Sequence, residues 1–222
     1  MSSDLVTVPN SAEHRPARYN EDMRIWTIQN EAAWEFLNER GYLEASRQHQ
    51  SDGWPEACEW MREQLVMRVG PPPSPEAVPL WGWRQWAGEA KPRPDLRSVR
   101  RHWNPPGRYV LIECDLPGDA VVLSDFDAWH IALNNQYLGV SDEEEADYLA
   151  ARKRYDEQPT EELATQLRES FYKSWERIID MGVLTEPDWH RMERKAIQAC
   201  FWTLRLEHVR SVKPFTSVSA RP

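Results

Sequence analysis

The sequence predicts a single α+β domain, with a mixed or mainly antiparallel sheet and helices packed on it. Three observations carry this. The chain has 222 residues, 41% hydrophobic and 28% charged, which suits one globular domain with short extensions. Runs of β-branched and aromatic residues at 24–29, 78–86, 108–116, 120–123 and 197–206 read as strands, and stretches of helical periodicity lie between them. Tryptophan occurs 12 times, and each indole can bury a large area, so a well-formed core is within reach.

Residues 1–22 are polar, with scattered Pro, Ser and Asn, and read as a flexible tail; residues 216–222 read the same way. The domain proper is placed at 23–215. RIWTIQ opens it as a strand. Asn30 can cap the helix EAAWEFLNER, whose inner stripe is Ala33, Trp34 and Leu37, and Gly41 ends it in the left-handed position, with Leu43 closing the end. A second helix starts with Pro55 in its first turn and runs to about Val69 on Ala57, Trp60, Met61 and Leu65. Gly70 and Pro71 to Pro73 stop it. VPLWGWRQW follows as a strand, with Trp81, Trp83 and Gln85 on one face and Leu80, Gly82, Arg84 and Trp86 on the other. A long Pro- and Arg-rich connection spans 87–107, with a helical turn between Asp95 and Arg101. RYVLIECDLP and AVVLS form a hairpin or bent strand about Gly118. Ser124 with Asp127 is a capping box for the helix DFDAWHIALNN, and Ser141 with Glu144 is another, for a helix to about Tyr155. The helix at 160–181 carries the stripe Leu163, Leu167, Phe171, Trp175 and Ile178. A short helix at 188–195 leads into IQACFWTLRLEHVRSVKPF, where Cys200, Trp202, Leu204 and Leu206 alternate with Phe201, Thr203 and Arg205; a bend near Glu207 would start a second short strand.

The net charge is −9, so bulk electrostatics disfavour nucleic acid as a partner. The charge is unevenly spread. Arg84, Lys91, Arg93, Arg97, Arg100, Arg101 and Arg108 make 84–108 basic, while 142–147 reads DEEEAD. Cys58, Cys114 and Cys200 are far apart, with no CxxC pair, as expected of reduced, buried thiols in a cytoplasmic protein. No stretch approaches the apolar length of a membrane span, and the N-terminus lacks an apolar signal core.

Two clusters are candidate sites. Ser124, Asp125, Asp127, His130 and Asn134 fall near one helix start, with 127, 130 and 134 on one face. An Asp beside a His can orient a general base or supply two metal ligands, so Asp127 and His130 are the catalytic candidates; the bland alternative is a cap and a packing histidine. No third ligand is near in sequence, so no metal is assigned. The second cluster is Trp83, Arg84, Trp86, Lys91, Arg93, Arg97, Arg100, Arg101, His102 and Trp103. Arginines among tryptophans can clamp a phosphate and stack a base, or simply pair with 142–147. Trp26, Trp34, Trp60, Trp175 and Trp202 read as core, whereas Trp81 and Trp83, flanking Gly82, can line a pocket. There is no GxSxG, HExxH, P-loop or GxGxxG motif.

IWTIQ with its AW…L…GxL continuation, WGWRQW followed by RPDLR, LSDFDAWHIALN and the terminal IQACFWTLRLEHVRSVKPF together resemble a bacterial family of unknown function numbered three-eight-four-one, over about residues 23–215. That likeness implies a label and no activity. More distantly, strand, helix and Gly-x-Leu at 24–43, with Gln198-Ala199-Cys200-Phe201 near the end, resemble ADP-ribosyltransferase folds. This second likeness implies NAD or another nucleotide as ligand. Arg24, Thr27, Gln29 and Trp83 would line the cleft, with Arg93 and Arg97 on phosphates. Cys200 stands where such a fold would carry its catalytic glutamate, and Glu113 and Glu207 are not in the matching position, so this likeness leaves two readings open, a transferase and a nucleotide-binding or degenerate member.

Two functional expectations follow. The first is a non-enzymatic intracellular binding or regulatory module that meets a protein partner through the basic loop or the acidic helix start. The alternative is the nucleotide-binding, ADP-ribosyltransferase-like domain, which requires Arg24 and Gln29 to face one cleft with the 81–103 segment.

Overall fold

The computed structural model describes residues 21–49, 54–102, 104–184 and 189–218. In chain order its strands are β1 (Asp22–Asn30), β2 (Tyr42–Ser46), β3 (Ala77–Val78), β4 (Leu80–Gln85), β5 (Gly107–Pro117), β6 (Val122–Asp125), β7 (Ile197–Phe201), β8 (Thr203–Arg205) and β9 (Val209–Ser217). The helices are α1 (Glu31–Arg40), α2 (Pro55–Arg68), α3 (Leu96–His102), α4 (Phe126–Leu133), α5 (Asp142–Glu157) and α6 (Glu161–Trp175). The expected α+β class holds. The main sheet has 6 strands in the order β6-β7-β4-β1-β5-β9, with every ladder antiparallel, and a 3-stranded sheet β3-β2-β8 lies beside it.

β1 sits inside the main sheet and pairs with β5 along its whole length, from Asp22 opposite Pro117 to Asn30 opposite Tyr109. That ladder has no bulge, so alternation along β1 is strict and the sides of the sheet follow from it. Ile25, Val110, Ile112, Leu116, Ala199 and Phe201 pack with Leu37 of α1 and with Leu43 and Leu204 of the small sheet. On the opposite side, Val122 and Cys200 pack with Trp60, Met61 and Leu65 of α2, Trp129 of α4 and Trp175 of α6. A third cluster, Trp26, Leu111 and Phe215 beneath Val99 of α3, extends that side toward β9. Trp26, Trp60, Trp175 and Trp202 are buried as the periodicity predicts, and Trp34 is half-buried against the first cluster. Burying an aliphatic side chain such as Leu37 contributes about 1.5–3 kcal/mol, so these clusters supply the driving force.

Caps set the helix starts. The Asn30 side chain accepts from Ala33 N, Ser141 from Glu144 N and Thr160 from Leu163 N. Gly41 takes φ 77° and donates to the Leu37 carbonyl, ending α1. Gly82 has another role: a Cβ there would stand 2.6 Å from Ile25 Cγ2, so β4 can lie against β1 only without one.

Several expectations are corrected. The start of α4 is capped by Asp125, whose Oδ1 accepts from the amides of Asp127 and Ala128, while Ser124 remains in β6. The reason is the β6–β7 ladder, which runs through Asp125 opposite Ile197 and delays the helix by a residue. The segment 197–206 is not one strand. It breaks at Trp202, so Leu204 joins the Phe201 side while Cys200 and Trp202 face the helices. A register shift between Trp83 and Gln85 carries Trp86 back to the Trp83 side, where the two indoles meet edge to face at 4.6 Å. The short strand expected after Glu207 is the nine-residue β9, and it reaches Ser217, into the expected tail. The long helix ends at Trp175 and continues as 3-10 turns. Of the helix expected at 188–195, Met192–Arg194 forms a 3-10 turn; Asp188 lies outside the described residues.

Candidate functional site

On β1 the structure separates the residues assigned to a nucleotide. Arg24 lies on one side, its guanidinium bonded to Asp115 and Glu113 of β5. Arg210 also reaches Asp115, and Ser211 donates to Glu113 at 3.0 Å. The Arg24 bond to Asp115 holds that carboxyl below the usual carboxylate range against the opposing effect of burial, with Arg210 adding to it. Thr27 and Gln29 project from the other side. The buried Thr27 hydroxyl donates to the Trp81 carbonyl at 2.7 Å, and Gln29 Nε2 donates to Thr27 Oγ1 at 2.8 Å. The Thr27 bond ties β1 to β4, and Gln29 holds the Thr27 hydroxyl from within β1. Trp83 is buried against Trp86 and Phe126, and Trp81 packs on Trp129.

The β6–α4 turn brings together more than its spacing implied. Asp125 is 1% exposed in its side chain and pairs through Oδ2 with Lys195, itself 2% exposed. The same carboxylate therefore caps α4 and neutralises a buried ammonium, which also lies over the Trp189 ring. Lys195 was missed because its partner is 70 residues away and only the β6–β7 register joins them. Asp127, His130 and Asn134 are exposed. His130 Nδ1 lies 2.8 Å from the Phe126 carbonyl, which can only accept, so that nitrogen carries the proton and the bond is spent on the helix backbone. Asn134 Nδ2 donates to the His130 carbonyl at 2.7 Å. Among the described residues no group of three or more His, Cys, Asp or Glu is placed to hold a metal ion.

The basic segment is spread over a surface. Lys91, Arg93, Arg97 and Arg100 are exposed; Arg97 pairs with Asp95 at 3.1 Å and Arg84 donates to the Arg24 carbonyl at 3.2 Å. Trp103 and the side chains of Arg101 and His102 lie outside the described residues. None of the ion pairs among the described residues joins this segment to 142–147.

The acidic run is divided by role. Glu144 is half-buried and accepts from Tyr137 at 2.7 Å, from the Val140 amide at 3.1 Å and from Arg177. Burial pushes its carboxyl up, but these bonds, led by Arg177, outweigh burial and hold it below the usual range. Arg177 also donates to the Leu138 carbonyl, and Tyr137 stacks on Tyr148 of α5 at 4.0 Å. Asp142, Glu143, Glu145 and Asp147 remain exposed on a helix that buries no residue. Between them α2 and α6 border an open groove of about 610 Å³ lined by Glu56, Glu59, Glu63, Glu169 and Glu176, with Lys173, Tyr172 and Trp60.

Fold and surface together define an antiparallel α+β domain with charge segregated between an acidic helical layer and a basic connection. The chain belongs to the family described as Domain of unknown function (DUF3841), whose model matches residues 24–210. Neither the comparison with curated proteins nor that with solved structures gave a match. No helix among the described residues is long and apolar enough to cross a membrane.

Proposed function

We propose that this domain is a non-enzymatic binding or regulatory module that presents α5 to a basic segment of a protein partner. One observation carries the reading: α5 buries no residue, yet it is held by the Glu144 clamp with its remaining first-turn acids outward. A helix that buries no residue and rests on the half-buried Tyr148 and Glu144 adds little to a core, so its retention in a fixed pose fits a role at the surface. The groove between α2 and α6, where five glutamates outnumber Lys173, carries the same sign of charge and would steer a cationic partner. A cytoplasmic setting accords with cysteines that form no disulfide among the described residues, of which Cys114 is pushed up to about 12 by burial and made unreactive.

The alternative, a degenerate ADP-ribosyltransferase-like domain, needs Arg24 and Gln29 on one ligand. Their opposite projections from β1 and the carboxylate partners of Arg24 favour the first reading. The test replaces Asp142, Glu143, Glu145 and Asp147 by their amides and compares association with a lysine- and arginine-rich peptide at low and high salt. Salt-sensitive binding lost in the variant supports the module. Thermal stabilisation by NAD, abolished by Arg24→Ala, with no peptide binding, would replace it with the alternative.

A further inference from the structure

Where the chain leaves β7 at Trp202 and crosses to β8, a groove of about 220 Å³ opens. Its apolar lining is Val69, Pro117, Ala120 and Trp202, together with the buried Leu116 and Phe201. The Trp202 indole is fixed by its bond to the Gly70 carbonyl at 3.0 Å, so the wall is built rather than fortuitous. Two cationic or polar side chains complete the lining. Arg205 is exposed and has no carboxylate partner among the described residues. His208 is half-buried, and its Nδ1 has no hydrogen-bond partner. The hydroxyl of Thr203, also on the groove, is already committed to Glu44 at 3.1 Å.

We infer that this groove binds a small monocarboxylate with an aromatic body, the ring against Val69, Pro117, Ala120 and Trp202 and the carboxylate on the Arg205 guanidinium. Size sets the body. An apolar cavity of about 150 Å³ accepts benzene, so this groove holds a ring with a short arm. Charge sets the head. An unpaired guanidinium beside apolar walls favours a planar carboxylate, which it can engage with two parallel hydrogen bonds. Nothing in this site draws on α5, so it stands or falls separately from the binding-module reading.

The probes are phenylacetate and its neutral isostere phenylacetamide, titrated calorimetrically into the full chain. Phenylacetate should bind saturably and about tenfold or more tighter than the amide, since the charged hydrogen bonds are available only to the acid. Arg205→Gln, at an exposed position that leaves the core untouched, should bring the acid down to the level of the amide. Ala120→Phe, accepted only if its thermal melt is unchanged, should abolish both by filling the groove. Absence of saturable binding by phenylacetate, equal affinity for acid and amide, or indifference to Arg205→Gln would each overturn the assignment.

Discussion

At the scale of single residues, the buried Asp125–Lys195 pair is where one substitution does most damage. Lys195→Met leaves a carboxylate 1% exposed without its cation and should cost about 3–5 kcal/mol in urea denaturation. Adding Asp125→Asn to that variant should recover part of the loss, because Asn still caps α4 and no longer carries a buried charge. A double variant no more stable than Lys195→Met alone would assign the loss to packing. Gly82→Ala is the second prediction at this scale: the new methyl meets Ile25 Cγ2 at 2.6 Å, and the clash should lower stability by about 1–3 kcal/mol in the same assay. Both caps at Asn30 and Ser141 were legible, since a cap is a local relation among neighbouring residues. The role of Lys195 was not, because it depends on which strand lies beside β6. The sites read from β1 suffered from a different gap: residues 24 and 29 differ by an odd number, so strict alternation had to put them on opposite sides.

At the scale of elements, α5 owes its pose to the bonds on Glu144. The folded-state pKa of that carboxyl lies below its ordinary value of about 4.3, so its contribution is complete above that pH and is lost as pH falls through the folded value. The stability gap between the wild type and Glu144→Gln should therefore be widest near neutrality and narrow on acidification below about pH 4.3. A gap that stays constant down to acidic pH would show that the carboxylate is not what holds the helix. Helix starts and the glycine stop of α1 followed from local pattern. Strand interruptions did not. The break at Trp202 and the shift between Trp83 and Gln85 answer to the pairing of neighbouring strands, and hydrophobic alternation alone cannot show where a chain changes sheets.

For the molecule as a whole, stability should be graded across the two layers. Amides of β1 and β5, whose ladder spans both strands, should exchange with solvent only through global unfolding. Those of α5, which buries nothing, should exchange through local opening at markedly higher rates. Hydrogen exchange followed by mass spectrometry checks this, and equal protection in the two would contradict it. The α+β class was legible because it needs only the kinds of element and their number. The strand order was not, because it is a set of long-range pairings. Those pairings also bear on how the protein is made. β2 at residues 42–46 closes its sheet with β8 at 203–205, Leu43 opposite Leu204, and β4 waits for β7 on its outer side. A ribosome that has released β1 to β5 has therefore left one side each of β2 and β4 without a partner. Folding should be slow for a domain of this size, and a nascent chain that still lacks β7 and β8 is the species that needs a chaperone.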